Sequence, residues 1–424
     1  MHRGWKKYRL GDLGRVVTGR TPPTSKPYYF GDKYPFITPS DMDDRKKADS
    51  TQRYLSEEGA QLLHRNLIPG GSVAVSCIGW QMGKAIMTCR PSFTNQQLNT
   101  IIPNEKIDAN FLYYALSTRR DELLSLGAAT GVRTPILNKS AFSDLPISVP
   151  PLKMQRKAAA VLSAYDDLIE NNTRRIALLE EMARLLYREW FVRFRFPGHE
   201  SVRLVDSPLG PIPEGWEVVR LGQVADVNAE TVKRGEEPEE IDYIDITSVS
   251  TGQINEIKHF AFDDAPGRAR RVVRHSDIIW STVRPNRKSY CLILNPSPNL
   301  IVSTGFAVIS ARQAPYTYLY HALTTDEFVG YLANRATGSA YPAVLASDFE
   351  DADLLLPPRS ISEAFHGIVT SMFDQRENLA RKNSILRRTR DLLLPRLVAG
   401  TMDVSNLDTA VDERGGAIYA HRDP

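Results

Sequence analysis

"ATGVRTPILNKSAFSDLPISVPP", residues 129–151, returns as "ATGSAYPAVLASDFEDADLLLPP", residues 336–358. Gly131 aligns with Gly338, Pro135 with Pro342, Phe142 with Phe349 and Pro150-Pro151 with Pro357-Pro358, without a gap, at an offset of about 207 positions. An internal repeat of this length sets the architecture before any other signal does. Beyond the two Pro-Pro steps the same offset pairs Asp167 with Asp374, Glu170-Asn171 with Glu377-Asn378, Arg174 with Arg381 and Leu179 with Leu386. Towards the front the register drifts, yet "GWKKYRLGDLGRVVTGRT" at Gly4 is echoed by "GWEVVRLGQVADVNAET" at Gly215. The chain is therefore two copies of one unit plus a tail after Gly400.

Each copy opens with about 150 residues of mixed pattern, passes a Pro-Pro step, and continues for roughly 40 residues that favour helix. Two consecutive prolines can neither extend a strand ladder nor sit inside a helix, so the step divides a globular part from the helical stretch beyond it. After the first step Ala158, Leu162, Tyr165, Ile169, Asn172, Ile176, Leu179, Ala183, Leu186 and Trp190 alternate steps of four and three, the seam of a coiled coil. Such a helix is roughly 60 Å long at its 1.5 Å rise. The second copy carries Phe365, Val369, Met372, Leu379, Leu386, Leu393 and Leu397, interrupted by Arg376, Asn383 and Arg390, and Pro395 is expected to kink or end it.

A long helix with one apolar stripe must bury that stripe, and the nearest partner is its own counterpart. The expectation is an antiparallel pair with pseudo-twofold symmetry, with Leu162, Ile169, Asn172, Ile176, Leu179 and Leu186 meeting Val369, Met372, Leu379, Asn383, Leu386 and Leu393. Asn172 and Asn383 read either as buried amides that fix register or as solvated positions at the seam edge. In the globular parts "LIPGGSVAVSCIG" and "VVRHSDIIWSTV" read as strands, and "ANFLYYALSTRRDELLSLG" and "TYLYHALTTDEFVGYLANR" as helices. The fold class is mixed α/β: globular domains at 1–150 and 199–356, long helices at 151–198 and 357–400, and a tail at 401–424. The two globular parts share little sequence beyond their openings and exits.

Composition is that of a soluble globular protein, 42% apolar and 24% charged, with a net charge of +3 that leaves any charged surface to local clustering. No apolar run approaches the ~20 residues of a membrane span, and "MHRGWKKYRL" lacks the apolar core of a secretory signal, so a cytoplasmic setting is expected. Cys77, Cys89 and Cys291 are too scattered for a disulfide framework and read as small buried residues. The eight histidines never pair at metal-ligand spacing, no P-loop string occurs, and the Pro-Pro steps lack the preceding Asn or Asp of an adenine methyltransferase. The acidic "GEEPEEIDYID" reads as a solvated loop. Neither a metal nor a cofactor is called for.

The duplicated frame resembles a known family, the specificity subunit of type I restriction-modification systems. The likeness runs over residues 1–400 and rests on the two "GW...LG" openings, "TGRTPPTSKPYYFGDKYPFITPSDM", the middle strands "IPGGSVAVSCIG" and "VRHSDIIWSTVRP", and the exits "LPISVPPLKMQRKAAAVLSAYDDLIENN" and "LLLPPRSISEAFHGIVTSMFDQREN". The resemblance implies that the globular parts are target-recognition domains, each reading one part of a split double-stranded DNA site. It further implies that the helices are a spacer docking two methyltransferase subunits, with restriction and translocase subunits reached through them. Catalysis then belongs to partners, and the chain itself is not an enzyme. The polar interruptions of the second seam and the tail depart from the pattern. A coiled-coil scaffold that binds only proteins is the competing reading.

Base edges are read by amides and guanidinium groups, phosphates by cations, hydroxyls and backbone donors. On that basis the first domain offers Thr18, Arg20, Thr21, Thr24, Ser25 and Lys26 on a proline-stiffened loop, Trp80, Gln81 and Lys84 on a turn, consecutive amides Asn95, Gln96 and Gln97, and Arg133. The second offers Arg284, Asn286, Arg287 and Lys288 directly after a strand, the basic run Arg268, Arg270, Arg271 and Arg274 for phosphates more than bases, the pair Ser303 and Thr304, and Ser339 with Tyr341 in the repeated turn. For each of these a merely solvated or structural loop position is the alternative.

Overall fold

A computed structural model describes residues 4–43, 45–129 and 133–404 of the chain. The tail from 405 onward and the repeated turn at 130–132 lie outside the described residues. The chain divides into two compact units, one made of the residues up to Arg174 together with those from Arg381, the other of Arg175–Ala380. Each long helix therefore contributes one half to each unit.

In the first unit the opening strand Lys6–Arg9 lies antiparallel to the exit strand Pro146–Val149, Lys6 opposite Val149. In the second, Glu217–Arg220 lies antiparallel to Asp353–Leu356, Glu217 opposite Leu356. This zipper brings both ends of a globular part together and delivers the chain to the Pro-Pro step. The backbone bond Leu10 N to Leu145 O (3.0 Å) has its copy in Leu221 N to Ala352 O (2.9 Å). The exposed ion pair Arg9–Asp144 (3.1 Å) likewise recurs as Arg220–Asp351 (2.9 Å).

Behind the zipper each unit carries an antiparallel core sheet of one topology. In the first the order is Gly14–Thr18, Leu98–Pro103, Val73–Ser76, Ala85–Thr88, with Lys47–Ala48 added in parallel at the edge. In the second the order is Ala225–Val227, Phe306–Ala311, Ile278–Ser281, Tyr290–Leu292. The central strands Val73–Ser76 and Ile278–Ser281 are buried along their whole length, as continuous apolar runs demand. The repeat thus extends through both cores, well past the openings and exits where sequence alone displays it. What differs is a second small sheet in each unit. Phe30–Gly31, Tyr54–Leu55, Tyr34–Ile37 and Phe93–Thr94 form it in the first unit, and Lys258–Ala261, Glu240–Ile244, Leu300–Ser303 and Ala269–Val272 in the second.

The helical stretches of the globular parts are each split in two, Ala109–Ser117 with Arg120–Ala128 and Tyr316–Ala322 with Asp326–Arg335. Asp108 and Thr325 cap a helix in each pair, accepting from Phe111 N and Phe328 N. Trp280, fully buried, donates its indole N–H to Leu323 O at 2.9 Å, tying the sheet to these helices. Cys77 and Cys291 are buried, whereas Cys89 is exposed.

The long helices span Leu152–Tyr187, continued by a π turn at Arg188–Val192, and Arg359–Val398. Pro151 and Pro358 stand just ahead of them, where a missing N–H is harmless, and their carbonyls accept the first helical N–H groups of Gln155 and Ser362. Pro395 lies inside the second helix instead of ending it, three residues short of Val398.

Within each unit the half-helices run antiparallel. In the first, Ala158 and Leu162 share a core with Leu397, while Asp166 meets Arg390 and Asn172 meets Asn383. In the second, Ala183, Tyr187 and Trp190 share a core with Phe365, Val369 and Phe373, and Glu180 meets Arg376. Ile169 and Leu379 are buried on the seam, and Ile176, Leu179, Leu186, Met372, Leu386 and Leu393 are half-buried. Phe373, absent from the expected seam, takes the buried place beside Met372.

The polar interruptions of the second seam all have partners. Asn172 Nδ2 donates to Asn383 Oδ1 at 2.9 Å, and Asn383 Nδ2 reaches Thr173 Oγ1 at 3.1 Å. With exposures of 8% and 2% these amides are buried, which decides against a solvated seam edge. Arg390 donates to Asp166 at 2.7 Å, and Arg376 lies 3.5 Å from Glu180. Among the described residues no helix is long and apolar enough to cross a membrane.

Candidate nucleic-acid interface

In the first unit Thr18 ends one core strand, Leu98 begins the next, Ser76 ends the third and Ala85 begins the fourth, all at one end of the sheet. Every loop leaving that end carries candidate residues. Arg20 N donates to Thr94 O at 2.9 Å, laying the 19–26 loop along the amide run, and Cys77 N donates to Gln97 O at 2.8 Å on the other side. Gly79 N donates to Pro135 O at 2.9 Å, which adds the segment from Arg133.

Within this rim some side chains brace the loops, some reach solvent, and Gln96 does both. Thr18 donates to Asn99 Oδ1 (2.6 Å), Thr21 to Gln96 Oε1 (2.6 Å), and Asn95 Nδ2 to Gln97 Oε1 (2.9 Å), so these amides and hydroxyls hold the loops to one another. Lys84 is tied to Met42 O at 3.1 Å. Arg20, Thr24, Ser25, Lys26, Gln81, Gln96 and Arg133 are exposed, and so is Trp80, at 70%. An indole that far into solvent has no packing reason to be there.

The second unit places its candidates at the same end of its own sheet. Val227, Phe306, Ser281 and Tyr290 mark that end, and Val283 bridges to Ala343 as Ile78 does to Ile136. Asn286 and Arg287 are exposed on the turn, Ser339 is exposed as well, and Arg284 lays its guanidinium 4.6 Å over the ring of Tyr341, which is 70% exposed. Lys288 donates to Asp326 Oδ1 at 2.6 Å, and that hydrogen bond, with the lysine's charge behind it, holds the carboxyl below the usual carboxylate range. Thr304 is exposed and its N–H binds Arg268 O at 2.8 Å, whereas Ser303 is buried, accepting from Gly305 N.

The basic run does not join this rim. Arg270 lies 5.0 Å over Phe262, and Arg274 pairs with Glu230 at the far end of the strand. Arg271 buries its Nε without a hydrogen-bond partner among the described residues, and burial lowers its pKa. Arg268, the first member of that run, is instead exposed beside Thr304, and sequence reasoning missed the glycines Gly79 and Gly83 that shape the first rim's turn. The exposure of Arg268 has no sequence signal, since it reads as one more member of the basic run.

Among the described residues no group of three His, Cys, Asp or Glu side chains is placed to hold a metal ion. What the rims present are amides, hydroxyls, guanidinium groups and exposed aromatic rings.

A family model described as the type I restriction modification DNA specificity domain matches residues 2–181. The MjaIX specificity subunit of Methanocaldococcus jannaschii is 26% identical over 412 residues, 96% of this chain and 95% of that one. The HindI specificity subunit of Haemophilus influenzae is 36% identical over 191 residues, 44% of this chain and 41% of that one. The crystal structure of a type I restriction-modification S subunit from M. genitalium shares the fold with a TM-score of 0.60 at 15% identity, covering 94% of this chain and 97% of that one. Tandem mixed α/β domains with long helices and these matches point one way: over residues 2–181 the chain matches the DNA specificity domain, and over nearly its whole length it is similar to specificity subunits of type I restriction-modification systems.

Proposed function

We propose that this chain reads a bipartite site on double-stranded DNA, with 1–150 and 199–356 as its two target-recognition domains. The observation that carries the reading is that one backbone frame, repeated in both units, presents different side chains at the same end of its sheet: Trp80, Gln81 and Gln96 in one, Arg284, Asn286 and Tyr341 in the other. A constant frame with unlike edges suits a reader of two unlike half-sites, since base edges are told apart by side-chain chemistry. The helices at 151–198 and 357–400 act as spacer and dock two methyltransferase subunits, through which restriction and translocase subunits are reached. Those partners supply the bond-making chemistry, in a cytoplasmic setting.

The test is binding of the full chain, purified with its methyltransferase partner, to duplex DNA carrying the site that mapping of methylated adenines defines. Phosphate contacts make log K fall with log salt at a slope of about −0.9 per phosphate neutralised, so six contacts lose about 10³-fold between 50 and 200 mM. Salt-insensitive binding, or a methylation pattern that survives loss of this chain, refutes the reading.

A further inference from the structure

The turn between the two central strands is built alike in both units. Met82 N binds Gly79 O at 3.0 Å as Arg287 N binds Arg284 O at 2.9 Å, and Ser76 N binds Lys84 O at 2.9 Å as Ser281 N binds Ser289 O at 2.9 Å. Gly79 N donates to Pro135 O at 2.9 Å where Arg284 N donates to Pro342 O at 2.7 Å. Two positions of this turn are left-handed. In the first unit they are Gly79 (φ +90°) and Gly83 (φ +86°); in the second they are Arg284 (φ +52°) and Lys288 (φ +54°).

Left-handed backbone is open to glycine and unfavourable for a residue with a Cβ, so the frame by itself asks for glycine at both places. Strain retained in one copy and absent from the other points to a use for the side chain. Lys288 is accounted for by Asp326. Arg284 is not. Its Nη2 donates to Ala340 O at 2.9 Å, which takes one of five N–H donors, and the guanidinium lies 4.6 Å over the exposed ring of Tyr341, a second contact on the same group. A planar fork held in one orientation suits a base edge; a phosphate needs only a mobile charge.

We propose that Arg284 is a specificity-determining residue of the second unit, reading a guanine through O6 and N7 in the major groove, with Tyr341 as the positioning residue that holds its guanidinium. The proposal rests on the DNA reading above. Its test uses the full chain with its methyltransferase partner, selecting duplexes from a randomised library, for wild type, Arg284→Gly, Tyr341→Ala and Tyr341→Phe.

Wild type is expected to select a guanine at one position that Arg284→Gly no longer distinguishes, a loss of about 5- to 150-fold there with the other positions kept. The thermal midpoint of Arg284→Gly should not fall, because glycine suits that backbone. Tyr341→Ala should weaken preference at the same position, and Tyr341→Phe, which keeps the ring, should not. Unchanged preference in Arg284→Gly, or a uniform loss across all sequences, overturns the proposal while leaving the functional reading in place. Wild type that selects no sequence overturns both.

Discussion

Lys46 is buried, 8% exposed as a residue, its ammonium donating to Ser163 Oγ at 2.7 Å and Tyr114 Oη at 3.2 Å, with Asp166 accepting from the same tyrosine. Burial draws its pKa down to about 8, against the pull of Asp166 and Asp167. Between that value and the 10.5 of a free lysine, the unfolded chain holds a proton that the folded chain has released. Stability therefore rises with pH across this window. The expected outcome is that the unfolding free energy of wild type gains on Lys46→Met by on the order of 2–3 kcal/mol between pH 7 and about 10. Urea titrations at the two pH values check it, and a gap that does not move refutes it. One lysine inside "RKK" gives no hint of this role, because its acceptors stand far away along the chain. At the offset of 207 Tyr114 becomes His321 and Asp166 becomes Phe373, and there the junction is aromatic: the imidazole stacks on Phe373 with centroids 5.8 Å apart. Burial lowers the pKa of His321 to about 4, so the stability contributed by this neutral imidazole is lost as pH falls from about 6.5 towards that value.

The paired helices show how far an element can be read alone. Their apolar stripe is legible because a coiled-coil period is local, and the start of each is legible because Pro-Pro permits little else. Arg376, Asn383 and Arg390 look like defects for the opposite reason: Glu180, Asn172 and Asp166 complete them from some two hundred residues upstream. The buried amide pair yields a cycle of predictions. Asn383→Leu strands the Asn172 amide without its partner and should destabilise by about 1–3 kcal/mol. Asn172→Leu combined with Asn383→Leu restores an apolar seam and should recover that loss or exceed it. Urea midpoints of both single variants and the double variant give the coupling, and strict additivity would refute the pairing.

At the scale of the whole molecule, spacing is the measurable property. Removing one heptad from each helix, on facing stretches, shortens them by about 10 Å, close to three base pairs. The expected outcome is a methylated site with a shorter unread spacer and unchanged half-sites; an unaltered spacer sinks the idea that the helices set it. The duplication itself is legible at Gly4, Gly215 and the two exits, where turns and prolines constrain residue choice. It fades in the cores because Val73–Ser76 and Ile278–Ser281 need only be apolar. At the rims it is hidden outright, since Gly79 and Gly83 have become Arg284 and Lys288. The division of the chain has a further consequence during synthesis. The second unit is one uninterrupted stretch, Arg175–Ala380, whereas the first needs residues from Arg381 onward. The domain that leaves the ribosome first is thus the last to be finished, because Ala158 and Leu162 await Leu397. A product truncated at a premature stop keeps that apolar stripe bare, a mark by which chaperones and proteases would clear it.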